Sequence, residues 1–238
     1  MRVLMHVWEW PPHHSGGLGV AAASLADALA RAGVRVLVHA WRGPGDRLER
    51  FPGGGELDLR SAPREGPWSG TDTGLSASAY GGAELEPEVR AYAREAQALA
   101  LAQDFDLVHA HDWLSFPAAL ASRAVSGRPF VAHLHSLELD RCGGEEDRCQ
   151  VEVERIEGAG LAAADRVLCV SGTTARATAE RFRIRAPIEV VENGVEQPTA
   201  DRPTGARQPM GLYVGRFDYQ KGPPLLSPSA RWGPTPPR

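Results

Sequence analysis

Short apolar runs alternate with stretches of helical periodicity along most of the chain. Residues 2–8 and 34–40 read as buried strands, and between them Leu18, Ala22, Leu25, Leu29 and Ala32 recur at helical spacing. Gly33 follows as the expected C-terminal cap of that helix. A strand, a helix and a strand in this order predict a right-handed crossover. Residues 42–82 carry Gly, Pro and isolated apolar positions, and read as long loops with one or two short strands about Leu57-Asp58-Leu59. Pro87 then opens a helix to about residue 102, with Val89, Tyr92, Ala96 and Leu99 on one side. Strands are expected at 106–110 and 129–134, around a short helix at 117–125. Residues 145–163 read as helix with acids in the first turn, where the helix dipole favours them. A strand at 166–170 leads to Ser171, the expected N-cap of a helix over 173–182. The last strand, 188–191, closes on Asn193-Gly194, a left-handed turn signal.

Such alternation predicts an α/β fold, a doubly wound Rossmann-like parallel sheet with helices on both faces. Residues 1–196 make up this domain, and 197–208, with two prolines and little apolar content, form a linker. Residues 209–222 read as the first strand and cationic loop of a second domain. The remaining 223–238 hold six prolines in sixteen residues, and the adjacent Pro223 and Pro224 obstruct the helix expected after that loop. The expectation is a disordered or frame-shifted tail and a truncated second domain.

Composition narrows the class. The 238 residues are 42% apolar and 24% charged, ordinary for a soluble globular protein, and the net charge of −4 argues against nucleic acid or an anionic membrane as partner. Apolar runs are too short for an integral membrane segment, and Glu9 interrupts any secretory core, so the expected compartment is the cytoplasm. Cys142 and Cys149 flank a polar loop and could bridge at the surface; reduced thiols are the expectation in that compartment.

Three groups of residues carry candidate chemistry. Gly16-Gly17-Leu18-Gly19 offers backbone N–H groups at a helix N-terminus, which favours anions, although it matches no dinucleotide or Walker pattern. His109-Ala110-His111-Asp112-Trp113 and His133-Leu134-His135-Ser136 end two strands at one sheet edge. Nothing in their spacing fixes a three-ligand geometry, so no metal is assigned. Arg216 and Lys221 lie on the loop after the strand Leu212-Tyr213-Val214, and Lys221 is the one lysine among 26 basic residues.

The order of these motifs resembles glycosyltransferase family 4, the retaining two-domain GT-B enzymes that include glycogen-synthase-like proteins. The resemblance rests on Pro11-Pro12 with the glycine loop, residues 106–113, Ala164-Asp165-Arg166-Val167 with Val170-Ser171, Glu192-Asn193-Gly194-Val195, and Gly215-Arg216-x4-Lys221-Gly222. It implies a nucleotide-diphosphate sugar as donor substrate, a saccharide or other acceptor, and no cofactor. By the same resemblance Gly16, Gly17 and Gly19 approach the donor phosphates, and Arg216 and Lys221 hold the diphosphate. His111 and Asp112 face the acceptor and transferred sugar, and His135 stands near the reacting sugar. The family's E-x7-E donor element has no counterpart, since no acid follows Asp218, so this chain is expected to be inactive as it stands. A non-catalytic glycan-binding module, or a nucleotide-sugar epimerase of related fold, are the alternatives, and the oligomeric state is left open.

Overall fold

In the computed structural model of the protein, residues 1–14, 16–62, 85–142 and 149–195 are described. The first half runs β1 (Arg2–Glu9), α1 (Gly17–Arg31), β2 (Arg35–Arg42), β3 (Arg47–Arg50), β4 (Glu56–Ser61) and α2 (Leu85–Ala102). Next come β5 (Leu107–His111), a 3-10 turn (Trp113–Ser115), α3 (Phe116–Ser126), β6 (Phe130–Leu134) and α4 (Glu138–Arg141). Finally α5 (Val151–Ala163), β7 (Arg166–Cys169), α6 (Gly172–Arg181) and β8 (Ile188–Val190) complete the described part.

The strands form one sheet in the order β3-β4-β2-β1-β5-β6-β7-β8. Every pairing is parallel except β3 with β4, which is antiparallel. The doubly wound parallel sheet is therefore present, with an antiparallel edge strand that the sequence pattern did not announce. One core cluster joins Leu4, Trp8, Tyr92, Phe116, Phe130 and Leu161 on one side of the sheet. The other gathers Val3, Met5, Val7, Val36, Val38 and the buried alanines of α1.

Local signals explain most element ends. Gly33 takes φ 87° and donates to Ala30 O at 3.0 Å, which ends α1 as expected. Gly127, at φ 66°, does the same for α3. Ser171 accepts the N–H of Thr174 at 3.0 Å and caps α6. Tyr92 ties α2 to the sheet, since its hydroxyl donates to Val7 O at 2.9 Å and lies 2.6 Å from His39 O.

Three readings are corrected. The face that α1 turns to the sheet is Gly19, Ala22, Ala26 and Ala30, not the leucine side; the small residues let the helix lie close to the strands while Leu25 and Leu29 pack on its flank. Neither Asn193 nor Gly194 takes a positive φ. The chain there runs on beyond β8 without a left-handed turn. Cys142 and Cys149 are joined by a disulfide, because the end of α4 and the approach to α5 bring their Cα atoms to 5.3 Å. The helix expected over 145–163 begins, in the described residues, at Val151. The linker, the second-domain strand and loop, and the tail lie outside the described residues. No described helix is long and apolar enough to cross a membrane.

Candidate active site

Because β1, β5, β6, β7 and β8 are parallel neighbours, their C-terminal ends share one edge, where ligands bind in open α/β sheets. The N-terminus of α1 opens at this edge. Gly16 precedes it in extended conformation (φ −161°) with no side-chain cap, so the first N–H groups of the helix have no partner from a capping side chain. Gly17 has open space where a Cβ would stand. Gly19 differs: a Cβ there would meet Glu9 O and the His14 Cβ at 3.0 Å. Its glycine character is explained by packing of the loop on the helix, which leaves Gly16 and Gly17 as the residues free to approach a ligand.

His111 ends β5, and Asp112 follows it at φ 56° and ψ 172°, a backbone region that is otherwise nearly glycine's own. The Asp112 carboxylate accepts the N–H of His135 at 2.7 Å and that of Ser136 at 3.5 Å. Ser115 secures the same turn from behind, donating to His111 O at 2.6 Å, with Asp112 O at 2.9 Å. His111, Asp112 and His135, singled out from separate segments, are thus brought together.

The register sets their neighbours. His111 pairs with His133, and His109 with Val131, so these side chains share one face, the face of Met5 and of α1. Four imidazoles result: His109 Nε2 lies 3.2 Å from His133 Nδ1, and His111 Nδ1 lies 3.0 Å from His135 Nε2. Burial lowers all four. It takes His109 to about 3, with help from His133 and His135, and holds His111 well below its ordinary value. His133 and His135 fall to about 4, again chiefly through burial. At neutral pH these rings are uncharged and act through hydrogen bonds or lone pairs.

Behind Asp112 stands a buried charge cluster that the sequence reading missed. Arg141 donates to Glu157 Oε1 at 2.6 Å, to Glu138 Oε2 at 3.0 Å and to Ser136 Oγ at 2.9 Å. Glu157 Oε1 also accepts the N–H of Glu138 at 2.9 Å, and Glu138 Oε1 that of Gln150 at 3.0 Å. Three buried carboxyl groups, Asp112, Glu138 and Glu157, face one guanidinium. Burial pushes Glu157 up to about 8 against the pull of Arg141, and Asp112 adds to the rise. Burial also lifts Asp112, opposed by Arg141 and by the two N–H donors it holds. The signal for this cluster was an acid on a buried stripe, since Glu157 occupies the helical face of α5 that also carries Val153, Gly160 and Leu161.

Beside the histidines a cleft of about 530 Å³ separates α1 from the chain after β8, with Ser24, Ala28, His133 and residues Glu192 to Val195 on its walls. The Glu192-Asn193-Gly194-Val195 motif therefore faces the glycine-led helix across this space. Arg216 and Lys221 lie outside the described residues.

The sequence profile of Glycosyltransferase Family 4 matches residues 15–197. The chain is 30% identical to glycogen synthase of Mycobacterium tuberculosis, over 93% of this chain and 56% of that protein. An uncharacterised glycosyltransferase of Methanocaldococcus jannaschii is 24% identical, over 93% of this chain and 57% of that protein. The chain spans about half the length of the curated relatives it matches. Among solved structures, sucrose-phosphate synthase from Thermosynechococcus elongatus shares the fold at a TM-score of 0.55 and 17% identity, over 80% of this chain and 47% of that chain. Profile, relatives and sheet topology agree that the chain belongs to glycosyltransferase family 4 and carries about the N-terminal half of its GT-B fold.

Proposed function

We propose that this chain is the acceptor-side half of a retaining hexosyltransferase, which moves a sugar from a nucleotide diphosphate to a saccharide or other acceptor. The observation that carries the proposal is the convergence of His111, Asp112 and His135 at the strand ends, on the sheet edge where α1 begins. Membership of the family and the 30% identity to a glycogen synthase support the reading.

In this scheme residues 1–196 form the acceptor-side domain, 197–208 the linker and 209–222 the start of the donor side. Breaking the glycosidic bond sends extra negative charge onto the departing nucleoside diphosphate. The N–H groups at Gly16 and Gly17, with Arg216 and Lys221, meet that charge as it develops, and each such contact is worth about 3 kcal/mol of barrier. The scheme uses no resident cofactor. His135, neutral at working pH, hydrogen-bonds sugar hydroxyls rather than delivering a charge, and the buried His111 orients its ring through Nδ1. Asp112, fixed by His135 and Ser136, faces the acceptor and transferred sugar from a backbone that cannot relax.

The test supplies this chain with the donor half of the mycobacterial glycogen synthase and assays transfer from UDP-, ADP- and GDP-glucose to maltooligosaccharides. Transfer is expected, with His135→Ala lowering kcat about a hundredfold. Absence of transfer with every donor, or turnover indifferent to His135→Ala, defeats the proposal. Oligosaccharide affinity that needs no donor, and that vanishes in His111→Ala, supports a glycan-binding module instead.

A further inference from the structure

The four imidazoles at the ends of β5 and β6 are more than the proposed sugar contacts require. Ring nitrogens of His109, His111 and His133 lie within 4.8 Å of one another. Two of these rings each have one nitrogen occupied and one left over. His111 Nδ1 is engaged by His135, and His133 Nδ1 by His109, while Nε2 of both rings is buried with no hydrogen-bond partner. Both residues are at least nine-tenths buried, with exposures of 0% and 3%. An unpaired buried nitrogen is costly to keep, and here there are two on adjacent strands, His111 paired in register with His133.

A metal-binding imidazole shows the same pattern, one nitrogen oriented by a hydrogen bond and the other offering its lone pair. From this geometry we propose that His109, His111 and His133 form a binding site for a divalent transition-metal cation of the zinc class. Neutral imidazole is the natural ligand for that class. Zinc–nitrogen bonds of about 2.0–2.1 Å set the edge of a tetrahedron at about 3.4 Å. The three rings offer nitrogens that all lie within 4.8 Å of one another, so closing on an ion needs a shift of at most about 1.4 Å. The cleft reaches His133, which gives an ion a way in. An ion held there fixes the ring that orients His135; that consequence rests on the proposed function, and the site does not.

The full chain, stripped with a chelator, is titrated with Zn²⁺ by calorimetry and with Co²⁺ by visible absorption. One ion per chain is expected, with the intense cobalt bands of a tetrahedral site and a higher melting temperature with zinc. His133→Gln and His109→Gln should each weaken binding by at least about tenfold. A double His13→Ala, His14→Ala variant, which removes two exposed histidines, should bind as tightly as the natural chain. X-ray absorption on the zinc-loaded natural chain needs no variant and should count three imidazoles. Failure to bind, binding that survives both glutamine variants, binding lost with His13 and His14, or fewer than three imidazoles at the ion each overturn the site.

Discussion

The carboxylate of Asp112 accepts the backbone N–H of His135 at 2.7 Å and so ties the end of β5 to the end of β6. Asp112 sits at φ 56°, a conformation that costs a non-glycine residue about 1–3 kcal/mol, and its carboxyl is raised by burial. Position and charge are therefore separable. Asp112→Asn keeps an oxygen for the His135 N–H and removes a buried charge, so thermal stability should stay level or rise. Asp112→Ala leaves the N–H without its acceptor and should lose about 1–3 kcal/mol. Denaturant melts of the two variants decide this, and equal losses would mean that the carboxylate's charge, not its placement, holds the turn.

The cluster of Asp112, Glu138, Glu157 and Arg141 gives the protein an unusual alkaline flank. Glu157 ionises near 8 when folded, against an ordinary 4.5. The folded state then binds a proton more tightly than the unfolded state, so stability is greatest at low pH and falls as pH rises from about 4.5 to 8, by up to about 1.4 kcal/mol per unit. The buried histidines act the other way. His109, His133 and His135 ionise near 3, 4 and 4 when folded but near 6.5 when unfolded, so their stabilisation is full above 6.5 and is lost as pH falls below it. Together they place maximal stability at about pH 7. Glu157→Gln should abolish the decline between about pH 7 and 8 while leaving the acid flank in place. Urea melts across pH 4–9 measure both flanks.

Asp112 and Glu157 are also coupled. Asp112 is one of the groups that hold the Glu157 carboxyl up, after burial. Removing that charge in Asp112→Asn should move the Glu157 titration downward from about 8, by an amount readable in the carboxyl carbon shift of a labelled protein. An unmoved midpoint would show that the two carboxyls do not feel each other across Arg141.

The sequence carried the parallel sheet well because each central strand is buried on both faces and reads as a near-continuous apolar run. β1 and β2 are examples, and their predicted ends fall within two residues of those observed. β3 was not legible, since Arg-Leu-Glu-Arg is a polar, exposed edge strand whose existence depends on β4 beside it. On α1 the leucines drew attention away from the alanines, yet closeness to the sheet, not bulk, decides which face is buried. His111, Asp112 and His135 could be named from sequence, because strand ends at the ligand edge are predictable. Their contacts could not: the pairing of His111 with His133 is a matter of register, set by crossovers that no local pattern encodes. Glu157 escaped because an acid inside a helix is ordinarily a surface residue, and it is Arg141 and the Glu138 N–H, brought beside it by the fold, that make its burial tolerable.

Two glycines of α5 separate packing from propensity. A Cβ at Gly160 would lie 2.3 Å from Phe116 Cδ2, 2.6 Å from Cγ and 2.8 Å from Cβ. The last is close to the backbone of α3 and cannot swing away as the end of a flexible chain could. Phe116 is fully buried and in edge contact with Phe130, so it has no free volume to retreat into. Overpacking of this kind costs about 1–3 kcal/mol. Against that stands the gain of about 1 kcal/mol when alanine replaces glycine in a helix. Gly160→Ala should therefore be net destabilising, by up to about 2 kcal/mol. At Gly158 the nearest atoms are those of the Phe182 ring at 3.4 Å, within ordinary contact, so Gly158→Ala should keep most of the helix gain and raise the melting temperature. Both glycines lie on one helix two residues apart, so propensity is common to them and any difference in sign between the variants measures the contact with Phe116. Gains of equal size in both would mean that α5 does not press on α3 as closely as these distances require.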